Sequence, residues 1–234
     1  MKGRGFKTYL GLGRVSNLPT VWTNCLDAMI LAGAVPDPIR LTLISLSISL
    51  LYISGMFLND AFDQEFDRKY RPERPIPSGE ISGAAVYKIG FGLMVSGLVI
   101  LFAAFPQTEV VLWGMMLAGL IVFYDWCHKK TAASPVIMAL CRVGVYFCAA
   151  ATVGSAMGSR VVWGAAVLMA YMIGLSYVAK QENFTEIQNL WPLLLLAAPF
   201  VYAAGLLRRV DSESVITSSV GGPRILQFAL KYAF

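Results

Sequence analysis

Seven long stretches of this 234-residue chain are almost free of charge, and no other feature constrains the fold so strongly. They run roughly from Val15 to Val35, Leu41 to Leu58, Ala84 to Phe105, Val110 to Tyr124, Pro135 to Ala156, Val161 to Ala179 and Leu190 to Leu207. A helix needs about 20 mostly apolar residues to cross the hydrocarbon core of a bilayer. Hydrophobic residues make up 57% of the chain and charged residues 14%, against roughly a quarter charged in soluble domains. Lipid is therefore the solvent for most of the surface, and in lipid only helices or closed barrels satisfy their backbone groups. The period-two alternation of a barrel strand is missing. The expectation is an all-α membrane protein, a multi-helix transmembrane bundle with seven clear spans. The links are short and carry no Ser/Gly/Pro-rich or low-complexity run, so residues 1–234 read as a single transmembrane domain.

The basic residues suggest how such a bundle is oriented. Lys2, Arg4, Lys7 and Arg14 precede the first span, and only Arg40 follows it. Arg68, Lys69, Arg71 and Arg74 follow the second span, and Lys129 and Lys130 the fourth. By the positive-inside rule the N-terminus and the even-numbered loops lie in the cytoplasm, with Arg208 and Arg209 breaking the pattern. No small-residue cleavage site follows the first apolar run, which therefore reads as a retained helix of an integral protein of the inner or plasma membrane, if the source is bacterial. The net charge of +5 reflects this topology and anionic lipid, and no motif supports nucleic-acid binding. Cys25, Cys127, Cys141 and Cys148 lack metal spacing and read as small buried hydrophobes. The lone histidine, His128, reads as an interface residue beside two lysines.

One stretch resists the apolar pattern. "NDAFDQEFDRKYRPERPIPSG", Asn59 to Gly79, holds the acids Asp60, Asp63, Glu65, Asp67 and Glu73 and the bases Arg68, Lys69, Arg71 and Arg74. On a helix with a 100° step, Asn59, Asp63 and Asp67 fall at about 0°, 40° and 80°, and Asp60 at about 100°. Three carboxylates on one face at a membrane boundary resist ionising unless a cation neutralises them. Oxygen-only ligands without His or Cys favour Mg²⁺, which fills its remaining positions with water and substrate phosphates. Asn59, Asp60, Asp63 and Asp67 are thus candidate metal ligands, and the cluster predicts a phosphorylated substrate. The following bases suit a departing diphosphate. A solvated helix end, its acids paired with its bases, is the plainer alternative. Glu182 and Glu186 form a second acidic pair one turn apart after the sixth span, beside Lys180. In a simple zigzag both acidic groups, with Lys129 and Lys130, face one cytoplasmic mouth.

"NDAFDQEFDRKYRPERPIPSGEIS" resembles the first signature of the UbiA-type intramembrane prenyltransferases, N-D-x-x-D-x-x-x-D followed by R-x-x-R-P-x-x-x-G. "YDWCHKKTAASP", Tyr124 to Pro135, is similar to the family's Tyr, basic-pair and Pro segment, and "GRVSNLPTVWTN", Gly13 to Asn24, to its opening arginine segment, in wording like that of the Ebo-type branch. The resemblance implies a helical bundle around a central cavity open to the membrane. Two Asp-rich motifs would hold Mg²⁺ on an isoprenyl diphosphate, and a hydrophobic acceptor, usually aromatic, would capture the allylic cation. Asn59, Asp63 and Asp67 would form the metal-binding face of the first motif. Lys129 would contact the diphosphate, with Arg14, Arg68, Arg74, Lys130 and Lys180 as further basic contacts. Catalysis would rest on Asp63, Asp67, Lys129, Glu182 and Glu186.

The chain departs from the family pattern twice. Glu182-x-x-x-Glu186 stands where the family has D-x-x-x-D, and the family usually has nine helices. Residues 208–234, a polar linker and a short apolar tail, are expected to mark a truncation or a different ending. Three rival functions compete with prenyl transfer. A CDP-alcohol phosphotransferase needs D-G and A-R dipeptides that Ala61 to Arg68 lacks. Ion transport predicts charges at mid-span in several helices, whereas only Arg142 and Asp27 lie well inside one. A non-catalytic prenyl-lipid binder or transporter that keeps the first motif is the main alternative.

Overall fold

The computed structural model describes residues 2–35, 37–181 and 191–205, all of whose regular structure is helical. The chain divides into two compact units, Met1–Ala166 and Val167–Phe234, with the division inside one helix. The first unit contains α1 (Lys2–Leu12), a 3₁₀ turn (Val15–Asn17), α2 (Leu18–Leu31), α3 (Pro38–Phe62), α4 (Gln64–Tyr70), α5 (Gly83–Ala104), α6 (Thr108–Cys127), α7 (Ser134–Ala151) and the start of α8 (Ser159–Gln181). In the second unit α8 continues and α9 (Trp191–Leu196) begins an apolar helical stretch that ends at Gly205. Tyr177 of α8 and Trp191 of α9 bring their rings to 5.2 Å.

Five of the seven expected spans are helices long and apolar enough to cross a bilayer: α3, α5, α6, α7 and α8 over Ser159–Ala179. The outer two depart from expectation. The first, read as Val15 to Val35, is helical only over the 14 residues of α2, about 21 Å of rise. The backbone breaks at Arg14, whose φ of 43° is left-handed, and the 3₁₀ turn that follows leads into a helix with Pro19 in its first turn. At its far end Gly33, with φ 81°, closes a Schellman cap: Ala34 N–H donates to Met29 O at 3.1 Å and Gly33 N–H to Ile30 O at 2.9 Å. The seventh span is described only over Leu193–Gly205 as a shorter apolar helix.

Local chemistry starts and packs the long helices. Pro38 opens α3 behind an N-cap in which Asp37 accepts from Arg40 N–H at 3.0 Å, and Ser82 caps α5 through Ala85 N–H at 3.2 Å. In the first unit α3 packs against α2, α5 and α6, while α7 packs against α2 and α6. Small residues bring α5 close to α3: a Cβ on Gly90 would lie 2.9 Å from Leu58 Cδ2, and one on Gly97 3.0 Å from Ser47 O. Trp22 Nε1 of α2 donates to Ser49 Oγ of α3 at 2.9 Å. Outward positions such as Val99, Leu112 and Trp163 are exposed apolar side chains on spans, as lipid-facing surface requires. The chain is an integral membrane protein.

Candidate active site

The charged motif lies where α3 gives way to α4. Asp63 stands between them with helical dihedrals, and the rungs continue across it, Asp63 N–H to Asn59 O at 3.0 Å and Asp67 N–H to Asp63 O at 2.9 Å. The expected single helix is thus two helices joined at Asp63, yet the i, i+4 spacing that puts Asn59, Asp63 and Asp67 on one face survives. All four polar groups are buried: Asn59, Asp60, Asp63 and Asp67 are 8%, 9%, 7% and 1% exposed. Burial this deep does not fit a solvated helix end, although the pairing of acids with following bases that this alternative expects is present at Arg74, with Asp60 and Asp67.

The cations come from three separate segments. Arg74 lies on the Pro-rich loop after α4, whose Ile76 and Ile81 are buried against Leu12, Phe57, Ala61 and Val86. Anchored so, Arg74 Nη1 donates to Asp67 Oδ2 at 2.8 Å and to Asp60 Oδ1 at 3.2 Å. Arg14, at the left-handed turn before α2, places Nη2 3.9 Å from Asp60 Oδ1. Beyond the end of α6, Lys129 Nζ lies 2.9 Å from Asp63 Oδ2, 4.0 Å from Asp67 Oδ1 and 3.5 Å above the Phe66 ring. His128 Nε2 faces Asp63 Oδ2 at 3.4 Å while its Nδ1 faces the Asp125 carbonyl at 3.1 Å. Both partners are acceptors, so the doubly protonated imidazolium satisfies this geometry and neither neutral tautomer does. The hydrogen bond to Asp63 raises the His128 pKa above its ordinary value against the opposing effect of burial. Burial pushes the Asp63 carboxyl up, but hydrogen bonds and charge from His128 and Lys129 outweigh it and leave its pKa lowered.

Two of these contacts escape the sequence pattern. Asp125, 3% exposed, belongs to α6 and not to the loop after it, and its Oδ1 accepts from Asn59 Nδ2 at 3.1 Å. His128, read as an interface residue, joins the acid cluster. A helical reading offers one signal for this: Tyr124 and His128 are one turn apart, and their rings stack at 5.1 Å. The pairing with Asp63 itself comes from α3 packing on α6, which no local pattern reports.

Other candidate residues lie elsewhere. Arg68 is exposed and pairs with no described acid, and Lys130 lies 4.9 Å over Trp126. Lys180 belongs to α8 in the second unit. Glu182 and Glu186 lie outside the described residues.

No group of three or more His, Cys, Asp or Glu among the described residues converges as a metal site. The donor chemistry nevertheless fits a hard cation. Asp67 Oδ1 and Asp125 Oδ2 are buried without a hydrogen-bond partner, which is costly for a carboxylate oxygen. Mg²⁺ takes only one or two carboxylates and completes its shell with water and phosphate oxygens.

An apolar cavity of about 90 Å³ adjoins the cluster among α2, α3, α6 and α7. Ile48, Leu51, Leu117 and Val145 supply apolar wall, and Tyr124 and Asp125 reach it from the charged end. Tyr52 and Arg142 also line it, with the Arg142 guanidinium 5.7 Å from the Tyr52 ring centroid.

Comparison with known proteins agrees with this architecture. The model of the UbiA prenyltransferase family matches residues 17–181. A digeranylgeranylglyceryl phosphate synthase from Methanopyrus kandleri is 26% identical over 220 residues, covering 93% of this chain and 78% of that protein. The synthase of the same name from Metallosphaera sedula is 33% identical over 95 residues, 41% of this chain but only 33% of the relative's length. A solved structure concerned with digeranylgeranylglyceryl phosphate synthase in membranes superposes with a TM-score of 0.65 at 19% identity, covering 97% of this chain and 91% of that one. At that identity the likeness speaks for the fold.

Proposed function

The chain belongs to the UbiA prenyltransferase family, and from that premise we propose that it transfers an isoprenyl group from an allylic prenyl diphosphate to an acceptor within the membrane. The observation that carries this reading is the convergence of Arg14, Arg74, His128 and Lys129 on buried Asp60, Asp63 and Asp67 at the end of an apolar cavity. Charge accounting supports Mg²⁺ as the partner of the donor. Asp60, Asp63 and Asp67 face Arg14, Arg74, Lys129 and the His128 imidazolium, one positive charge in excess, so an arriving diphosphate brings more negative charge than these cations offset. Asn59, Asp63 and Asp67 would hold the metal, which when bound neutralises the departing diphosphate.

In the reaction the allylic C1–O bond breaks and the diphosphate leaves with the electron pair. A new bond forms from the acceptor to C1, and the acceptor gives up a proton. Lys129 and Arg74 stabilise the leaving charge, while the apolar wall keeps water from the cation. The cytoplasmic orientation of loops 2, 4 and 6, and a role for Glu182 and Glu186 as the second metal-binding pair, belong to the same proposal. An aromatic acceptor follows from the family resemblance. The relatives' name, digeranylgeranylglyceryl phosphate synthase, supports a polar lipid acceptor as the second candidate.

The test is turnover by purified protein in lipid nanodiscs, given farnesyl or geranylgeranyl diphosphate with Mg²⁺ or with EDTA. Mass spectrometry should find a prenylated acceptor and released diphosphate only with Mg²⁺. Tight donor binding without release, for every donor and acceptor offered, would replace the enzyme with the prenyl-lipid binder.

A further inference from the structure

Asp125 is a buried carboxylate to which the proposed transfer gives no part. Asp60, Asp63 and Asp67 each meet at least one cation, whereas Asp125, 3% exposed near the end of α6, pairs with none among the described residues. Its side chain makes a single hydrogen bond, in which Oδ1 accepts from Asn59 Nδ2 of α3 at 3.1 Å, and Oδ2 has no partner. An acid at this depth in a span is expensive and marks a functional position by default.

The two helices are shaped to bring this pair together. One turn before Asn59, Gly55 lets α6 come so near that a Cβ there would lie 2.9 Å from Ile121 Cγ2. Ile121 is itself one turn before Asp125. The contact of Gly55 with Ile121 therefore sets α3 beside α6, and the next turn of each helix supplies one half of the polar pair.

Hydrogen-bond chemistry fixes what the pair does. A carboxylate oxygen only accepts, so the Asn59 amide must turn its nitrogen to Asp125. Its one oxygen is then left over, and no described group donates to it. The reversed amide would present two N–H groups instead, and a cation finds no ligand in them. A group behind a metal ligand commonly settles the ligand's orientation in this way.

We infer that Asp125 is a positioning residue that holds Asn59 with its amide oxygen free for the divalent cation. The inference rests on the metal-assisted transfer proposed above and gives Asp125 its effect through Asn59, without contact with the cation.

The readout is the Mg²⁺ concentration that gives half-maximal binding of labelled farnesyl diphosphate to purified protein in nanodiscs, which requires no turnover. Asp125→Leu keeps the size of the side chain and removes the acceptor. It should raise that concentration on the order of 10–100-fold, the usual loss when a group behind a metal ligand is removed. Asp125→Ser, whose hydroxyl is too short to span the gap, should act alike, so either variant that elutes as the parent does is sufficient. Asp125→Asn should recover most of the parent's behaviour, because its amide oxygen still accepts from Asn59 although the charge is gone. An unchanged Mg²⁺ requirement in Asp125→Leu or Asp125→Ser, even with a lowered melting temperature, would reduce the pair to helix packing and overturn the inference. Asp125→Asn as impaired as Asp125→Leu would overturn it as well, since a direct ligand loses affinity with its charge and a hydrogen-bond acceptor does not. Parent binding that ignores Mg²⁺ would remove the metal-assisted reading and this inference with it. A Mg²⁺-dependent parent beside an indifferent Asp125→Leu removes the inference alone.

Discussion

Arg74→Gln should destabilise the fold because it leaves two buried carboxylates behind. Arg74 Nη1 is 2.8 Å from Asp67 Oδ2 and 3.2 Å from Asp60 Oδ1. Without it the next permanent cations are Lys129, 4.0 Å from Asp67, and Arg14, 3.9 Å from Asp60. Each lost pair is worth about 5 kcal/mol of gross attraction at an effective dielectric near 20, most of which desolvation offsets. Removing one partner of a buried pair costs about 3–5 kcal/mol. The Arg74 side chain is 26% exposed, so solvent screening brings the expected loss to roughly 2–3 kcal/mol. For a chain of this size that is a fall of roughly 4–12 °C in melting temperature. Tryptophan fluorescence follows the melt in nanodiscs. The double variant Arg74→Gln with Asp67→Asn should recover part of the loss, about 1–2 kcal/mol of coupling, and millimolar Mg²⁺ should recover part of it in the single variant. Additive effects in the double variant, with no response to Mg²⁺, would refute the claim that Arg74 neutralises a site built for a removable cation.

The His128–Asp63 pair makes stability depend on pH from both sides. His128 has a raised pKa, so its contribution is complete below the ordinary imidazole value and is lost as pH rises through the raised one. Asp63 has a lowered pKa, so its contribution is complete above the ordinary carboxylate value and is lost as pH falls through the lowered one. Melting temperature should therefore decline as pH rises from the ordinary imidazole value through the raised one, and His128→Gln should remove that decline; an unchanged profile in the variant would assign it elsewhere. For orientation, a single cysteine near Arg71, with Cys25, Cys127, Cys141 and Cys148 replaced, should resist an impermeant reagent in intact cells and react after lysis. Labelling from outside would overturn the cytoplasmic assignment. Replacing Glu182 and Glu186 with Gln should cut turnover by orders of magnitude, with Asp at both positions retaining or raising it; parental turnover in the Gln pair would remove them from the reaction.

The sequence carries more of the site than of the helix boundaries. Asn59, Asp63 and Asp67 are legible because their spacing is a property of one continuous run of helical rungs, and those rungs persist across the junction of α3 and α4. Arg74 is legible as a neighbouring base, but its reach depends on Ile76 and Ile81 anchoring a Pro-rich loop, and that is tertiary. Asp125 is hidden by a few residues of boundary: the fourth apolar stretch ends at Tyr124, whereas α6 runs to Cys127. Hydropathy marks where apolar residues end, and a helix that turns one polar face inward continues past that point. The first span fails for the opposite reason. Hydropathy from Val15 to Val35 is continuous, while the left-handed Arg14, the 3₁₀ turn and the Gly33 cap cut the helix at both ends. Arg142 is visible as a charge inside a span, but the cavity beside it is made by four helices.

Binding of labelled farnesyl diphosphate to the purified protein tests the central claim most directly, with Mg²⁺ and with EDTA, in the parent and in Asp63→Ala and Asp67→Ala variants that elute as the parent does. Saturable binding that needs Mg²⁺ in the parent and disappears in both variants is the predicted result. Unchanged affinity in both variants, or binding indifferent to EDTA, would contradict the assignment of this buried acid and base cluster to a metal-bound diphosphate.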